Sequence, residues 1–489
     1  MREKGYLRQV YAAILSSTGI ILVLSSVVML LPLVVLLAYP QEAPDTWAFL
    51  IPAICLGLLG LALLRIFRPS TAVTLSIQEG GVIVLLSWVV VILFSAWPLA
   101  WAANLDFSRA VFESVSGWTT TGLSVVDVTR VSHMTLLWRS IMQFAGGAGL
   151  AIIMMSAIIG PSGVGISSAE GRGDQLVPHV RQSARLVMII YICYAAGGTI
   201  AYWLAGMDIF DAVNHSFAAV STGGFSTRPE SIGYWNSVYI EAVTLALMLL
   251  GNMSFVTAWL LWRGRLRFFA RNGEIRLMSV VIPAAIAVTF LATCRTLYPH
   301  IGKVLRVSIF EIVSALTTTG FSTVSYNNWN PFGILVLIGL MLIGGGTCST
   351  AGGIKQFRIY TLWKVLMEEF RRPFLPRTAT VEQAVWEGAR RAFINDSRVR
   401  QIAVFVFLYL AAFAAGTLTL CAYGYTLPDS LFEFASSLGT VGLSVGVTSA
   451  GMPDGALWVE TIAMFLGRLE FFVIIVSALK VGRDAYRMT

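Results

Sequence analysis

Long apolar runs alternate with short polar stretches along almost the whole chain. The runs lie at about residues 10–38, 47–67, 80–103, 134–160, 183–205, 237–262, 277–298, 332–366, 399–423 and 455–480. Runs of about eighteen or more apolar residues with few charges predict transmembrane helices. Shorter amphipathic segments sit between them, at about 106–118, 208–220, 306–317 and 428–438. These are too short to span a bilayer and predict re-entrant half-helices.

Each short segment ends in the same polar loop. The copies are Thr120-Thr121-Gly122-Leu123-Ser124, Thr222-Gly223-Gly224-Phe225-Ser226, Thr318-Thr319-Gly320-Phe321-Ser322 and Thr440-Val441-Gly442-Leu443-Ser444. Recurrence at roughly hundred-residue spacing marks a repeat architecture. Each repeat reads as helix, half-helix, loop, helix, so the predicted fold is an all-α polytopic membrane protein. Residues 1–70 form an extra helix pair, and the repeats occupy 71–180, 181–270, 271–396 and 397–489. Phe112-Glu113, Phe310-Glu311 and Phe432-Glu433 fall at one register before the loop glycine, where repeat two has Asn214-His215. Two readings of these glutamates stand open: negative charge at the outer mouth, complementing the helix dipole, or a helix-terminus preference without ionic role.

Composition agrees: 56% of residues are hydrophobic and 12% charged, with mean hydropathy +0.76, outside the soluble globular range. The first apolar run is longer than a signal-peptide core and lacks a cleavage site, which predicts a retained helix. The net charge of +8 is concentrated in alternate loops. Arg263, Arg265, Arg267, Arg271 and Arg276 cluster in one, and Lys355, Arg358, Lys364, Arg371, Arg372, Arg377, Arg390, Arg391, Arg398 and Arg400 in another. The positive-inside rule puts these, and the N-terminus, in the cytoplasm and the Thr-x-Gly loops outside. That distribution excludes a nucleic-acid surface. The scattered Cys55, Cys193, Cys294, Cys348 and Cys421 suggest neither a metal site nor a disulfide framework. No nucleotide-binding motif and no paired catalytic residues are present, so neither an enzyme nor a nucleotide site is expected on this chain.

Non-helical backbone at membrane depth is tolerated where it is buried in protein or lines a watery cavity. Carbonyls of such a loop can replace the hydration shell of an alkali cation, and glycine permits the backbone angles that turn them inward. Half-helices aiming their partly negative C-terminal ends at the same cavity favour cations. Ordinary capped turns explain one such loop but not four, each behind a segment too short to span. The loops therefore predict the four walls of one cation-selective pore.

Two features lie below it. Gly344-Gly345-Gly346-Thr347-Cys348-Ser349-Thr350-Ala351-Gly352-Gly353 interrupts an apolar run. Each glycine costs about 1 kcal/mol against alanine in a helix, which predicts an intramembrane loop able to gate; a small-residue packing face is the alternative. Arg468 falls near mid-membrane in the last run, where a lone arginine costs roughly 2.5–3.5 kcal/mol. It reads as an electrostatic barrier and clamp on the loop, or else as a partner of Glu470 or a snorkelling side chain. The stretch from Gln143 to Gly149 reads as packing. Few intramembrane carboxylates are evident, which weighs against a symporter coupled to proton or sodium.

At these residues the chain resembles the Trk/Ktr/HKT superfamily of potassium transporters, on the side of its bacterial TrkH branch. The resemblance rests on the four loops, the 344–355 stretch and Gly467-Arg468-Leu469-Glu470, and covers nearly the whole chain. It implies four membrane–pore–membrane units around a pseudo-fourfold axis in a homodimer in the bacterial cytoplasmic membrane. Potassium is implied at the carbonyls of Thr120, Thr121, Thr222, Gly223, Thr318, Thr319, Thr440 and Val441, with Gly122, Gly224, Gly320 and Gly442 as filter glycines. In plant relatives a serine at the first glycine accompanies sodium transport, so four glycines imply potassium. Gating is implied at Gly344, Gly345, Gly346, Thr347, Ser349, Gly352, Gly353 and Arg468. The partner implied is a TrkA-like cytoplasmic ring of RCK subunits binding ATP, ADP or NAD(H). The basic loops are either its docking surface or simply set topology.

Overall fold

The computed structural model describes residues 2–68, 75–149, 180–376, 384–387 and 390–488. Among them six helices are long and apolar enough to cross a membrane, and two further pairs do so as bent spans. The chain opens with Arg2–Met29 and Thr46–Ile66 packed side by side. Gly19 and Gly60 let these backbones touch: a Cβ on either would lie 2.7 Å from the other's carbonyl oxygen. The first helix was expected to run to about residue 38. It stops at Met29, and Leu31–Leu37 continues as a 3-10 turn with proline at its start, because proline disfavours α geometry in the residue before it and has no N–H to donate.

Four units follow. Their long helices are Ile77–Ala102, Val180–Leu204, Gly273–Thr289 with its continuation to Leu297, and Asp396–Ala422. Their short helices are Phe107–Trp118, Ile209–Val220, Ile301–Leu316 and Leu427–Leu438. Asp106, Asp208 and Thr426 cap three of the short helices by accepting a backbone N–H in the first turn. At about 1.5 Å per residue none reaches across the roughly 30 Å hydrocarbon core. They end in the middle of the molecule, and Phe112, Phe310 and Phe432 are completely buried.

The second helix is interrupted in units two, three and four. In unit one, His133–Ala148 ends on a left-handed Gly149 (φ 63°); the expected continuation to about residue 160 lies outside the described residues. Continuous helices were expected at 237–262 and 455–480, and the structure corrects both. Val238–Asn252 and Phe255–Trp262 meet at 114°, and Asp454–Leu469 and Phe471–Arg487 at 97°. At the first break Ser254 starts a new helix by accepting from Thr257 N at 3.2 Å. At the second, Glu470 adopts φ 63°, which ends the preceding helix. The third unit breaks where its glycines predicted: Pro331–Ile343 stops, a loop crosses residues 344–355, and Gln356–Arg371 resumes. One departure from an all-α fold is a hairpin in the basic stretch, Ala384–Glu387 antiparallel to Arg390–Phe393.

Candidate functional site

The four polar loops converge. Their first threonines share a left-handed backbone, with φ of 56° at Thr120, 52° at Thr222, 52° at Thr318 and 50° at Thr440. The glycine two residues later repeats it, at 94° for Gly122, 74° for Gly224, 80° for Gly320 and 97° for Gly442. This alternation of positive and negative φ turns consecutive backbone groups to one side. The residue between them ties back to the short helix: Thr121 N donates to Ser116 O, Gly223 N to Ala218 O, Thr319 N to Ser314 O and Val441 N to Ser436 O, at 2.8–3.1 Å.

The units meet in cyclic order. A Cβ on Gly122 would lie 2.2 Å from Gly223 O, one on Gly224 2.1 Å from Thr319 O, one on Gly320 1.9 Å from Val441 O, and one on Gly442 2.3 Å from Thr121 O. Each glycine thus faces the carbonyl that precedes the next unit's glycine, and the fourth unit closes on the first. All four glycines, with Ser124, Ser226, Ser322 and Ser444, line one open basin of about 800 Å³.

The register glutamates are not at its mouth. Glu113, Glu311 and Glu433 are fully buried behind the loops and hold them. Glu113 accepts from Ser124 Oγ at 2.9 Å and Val125 N at 3.0 Å. Glu311 accepts from Thr323 N at 2.8 Å and from the Tyr326 hydroxyl. Glu433 accepts from Ser444 Oγ at 2.6 Å and Val445 N at 3.1 Å. In unit two His215 does the same work, its Nε2 meeting Ser226 Oγ at 3.0 Å. Both sequence readings of the glutamates are thereby replaced: a carboxylate in mid-helix with several acceptor sites anchors a loop that has little regular structure of its own.

Beneath the ring lies the interrupted stretch of unit three, held by several hydrogen bonds. Gly345 N donates to Gly352 O at 3.0 Å, Gly346 N to Asn252 Oδ1 at 3.2 Å, Thr347 N to Glu274 at 2.6 Å, and Ser349 Oγ to Gly346 O at 2.6 Å. Gly344 and Gly353 turn with φ of 70° and 78°. The stretch touches the loop threonines from below: Gly352 N donates to Thr318 Oγ1 at 2.8 Å, and Thr222 Oγ1 donates to Thr350 Oγ1 at 3.1 Å. A Cβ on Gly352 would lie 2.1 Å from Thr440 Oγ1, so backbone and threonine hydroxyls are in contact.

Arg468 sits at the end of its helix, beside the break. Its guanidinium donates to Thr350 O and, on the other side, to Gly146 O at 2.7 Å and Gly147 O at 3.3 Å. It therefore ties the intramembrane stretch to unit one. Glu470 pairs instead with Arg358 at 2.8 Å. The glycines of unit one do pack as expected: a Cβ on Gly146 would lie 2.0 Å from Trp118 O. They also supply the carbonyls that receive Arg468. Within the basic stretch, Arg358 and Lys364 (which donates to Ala384 O at 2.8 Å) are engaged inside the protein.

Sequence reasoning missed Arg139, Asn252 and Glu274, and read Gln143 only as packing. Arg139 is buried, pairs with Glu113 at 2.7 Å and donates to Ser124 Oγ at 2.8 Å and Ser226 O at 3.3 Å, joining two loops. The available sign was a charged or amide side chain inside an apolar run, which at membrane depth marks function or a specific partner.

Residues 52–272 and 275–486 match the family described as TrkH, cation transport protein. The chain belongs to the TrkH family. It is 30% identical over 476 residues to the Trk system potassium uptake protein TrkH of Halomonas elongata, covering 95% of this chain and 97% of that one. It is 31% identical over 474 residues to the Trk system potassium uptake protein TrkG of Escherichia coli, covering 94% and 96%. The crystal structure of the potassium transporter TrkH from Vibrio parahaemolyticus is similar with a TM-score of 0.83 at 28% identity, covering 95% and 98% of the two chains. Membership makes this chain a multi-span transport protein, not an enzyme, and accounts for the broken helices as a family architecture.

Proposed function

We propose that the chain is a potassium uptake channel whose selectivity filter is the ring of four Thr-x-Gly loops. The four units form pseudo-fourfold repeats around one pore. The observation that carries this reading is the cyclic glycine-to-carbonyl contact, which leaves no unit outside the ring. Potassium, the transported ion, sheds its water against the carbonyls of Thr120, Thr121, Thr222, Gly223, Thr318, Thr319, Thr440 and Val441. Gly122, Gly224, Gly320 and Gly442 supply the close approach between units. The stretch from Gly344 to Gly353, including Gly345, Gly346, Thr347, Ser349 and Gly352, closes the path beneath. Arg468 locks it in place and adds a positive barrier. The basic face is cytoplasmic and the basin external, as the arginine distribution predicts. A second copy of the chain and a cytoplasmic nucleotide-binding ring of RCK type complete the assembly, the latter docking on the basic face.

Ion flux in vesicles reconstituted with the purified protein tests the filter. Potassium and rubidium are expected to pass in preference to sodium, and Gly122→Ser to weaken that preference, because its Cβ meets Gly223 O at 2.2 Å. Equal passage of the three ions, with no effect of the serine, refutes the assignment.

A coupled symporter is the second reading, and one observation favours it. The described residues hold more membrane-depth carboxylates than the sequence suggested. Glu433 and Glu460 are both fully buried and joined through Thr448, whose N–H donates to Glu433 at 3.0 Å and whose hydroxyl donates to Glu460 at 2.9 Å. Two buried carboxylates linked through one threonine are the kind of paired acidic groups that a proton-coupled route would use. A potassium reversal potential that ignores both pH and sodium removes this reading; one that moves with either replaces the channel reading with it.

A further inference from the structure

Unit two departs from the other three at two positions of its loop. Where units one, three and four have Ser116, Ser314 and Ser436, unit two has Ala218. Those serines brace the loop from within. Ser116 Oγ donates to Leu123 O at 2.6 Å and accepts from Gly122 N at 3.1 Å. Ser314 Oγ donates to Phe321 O at 2.6 Å, and Ser436 Oγ accepts from Gly442 N at 3.0 Å. Where units one, three and four have Thr121, Thr319 and Val441 before the glycine, unit two has Gly223. The two threonines add a second brace, their hydroxyls meeting Thr119 Oγ1 at 2.7 Å and Thr317 Oγ1 at 2.8 Å. Unit two lacks both the serine and the branched side chain.

A side chain from unit one occupies that space. Gln143 Nε2 donates to Gly223 O at 2.5 Å, and Gln143 Oε1 accepts from Phe225 N at 3.1 Å. One amide thus brackets Gly224 from both sides, and it is completely buried. Gly223 is not among the residues with positive φ, so backbone conformation does not require a glycine there. Space does: a Cβ on Gly223 would lie 2.4 Å from Gln143 Cδ. Ala218, Gly223 and Gln143 are therefore one arrangement, in which an amide borrowed from the neighbouring unit replaces two internal braces.

We infer that Gln143 is a positioning residue for ion selectivity, holding the unit-two carbonyl in the ring and weakening it as a ligand. The inference rests on the filter reading above. A carbonyl has two lone pairs; the one taken by the amide leaves Gly223 O a single direction in which to meet an ion. Selectivity depends on the number and field strength of the coordinating carbonyls and on the size of the site they define. Released from Gln143, the Gly223 carbonyl moves freely and adapts to the smaller sodium ion.

The test is the potassium-to-sodium permeability ratio in reconstituted vesicles, which does not depend on how much protein is active. Gln143→Ala and the equally sized Gln143→Glu, which sets an acceptor against Gly223 O, are both expected to lower the ratio about tenfold, the effect of one lost hydrogen bond. Rebuilding unit two on the pattern of unit one, with Gln143→Ala, Ala218→Ser and Gly223→Thr together, is expected to restore the ratio to within about threefold of the starting protein; here Ser221 stands where Thr119 braces unit one. If Gln143→Ala is too unstable to purify, Gln143→Glu decides. An unchanged ratio in Gln143→Glu, or a triple variant no better than Gln143→Ala, overturns the inference. Gly320→Ser separates the two levels. A loss of selectivity there with none in Gln143→Glu rejects only the role of Gln143. No loss in either rejects the filter and the inference with it.

Discussion

Arg468→Ala removes a side chain that joins the intramembrane stretch to unit one. Two of its bonds, to Gly146 O at 2.7 Å and Gly147 O at 3.3 Å, anchor the guanidinium; the bond to Thr350 O restrains the stretch itself. A hydrogen bond to a charged group contributes about 1.5–3 kcal/mol. If the stretch gates as proposed, losing that restraint shifts the closed-to-open ratio by roughly 10- to 150-fold. The stretch keeps its bonds to Thr318, Asn252 and Glu274, so the variant remains folded and still closes part of the time. Rubidium tracer uptake into vesicles, without any cytoplasmic partner, is expected to rise by that factor. Arg468→Lys separates the two contributions: it keeps the positive charge but cannot span Thr350 and Gly146 with one planar fork. If clamping dominates, lysine leaks nearly as much as alanine; if charge dominates, it stays closed. Uptake by Arg468→Ala equal to that of the unaltered protein would refute both.

Two further outcomes follow from the same geometry. Thr318→Val deprives Gly352 N of its acceptor, which costs about 1–3 kcal/mol in the closed arrangement, and tracer uptake is expected to rise severalfold with selectivity kept. Glu113→Gln removes the charge paired with the buried Arg139 and one of the two oxygens that hold Ser124 and Val125; breaking a buried pair costs about 3–5 kcal/mol, and the thermal unfolding midpoint in detergent is expected to fall clearly.

The sequence made the repeated units legible because each carries a motif with its own backbone requirement. The left-handed glycine needs that residue type, and a threonine held at positive φ against its preference accompanies it in every unit, so the same five-residue pattern recurs. The break at 344–355 was legible for a similar reason, since a run of glycines cannot remain helical. The breaks at Met253 and Glu470 were not, because the helices on either side are apolar and no proline or glycine run marks them. What stops those helices is tertiary: Asn252 turns its side chain to Gly346 N, and Glu470 turns to Arg358. The same limit applies to Glu113, Glu311 and Glu433. Their register before the glycine was visible, but whether a carboxylate faces a basin or the back of a loop depends on how the half-helix is rotated, and periodicity over about a dozen mostly buried residues does not fix that. Gln143, and Arg139 through Ser226 O, bond across units, so nothing near them in the chain announces those partners.

The cyclic contact between units has a consequence for how the protein is made. Three of its four joints link neighbouring units, but the last links Gly442 to Thr121, from opposite ends of the repeat array. During synthesis that joint is absent until the fourth unit has entered the membrane, and its loop-closure entropy comes due last. A chain cut short before then has three walls and no ring. If the ring is the filter proposed above, the ion path comes into existence in a single late step, and unfinished chains lack the four-sided site.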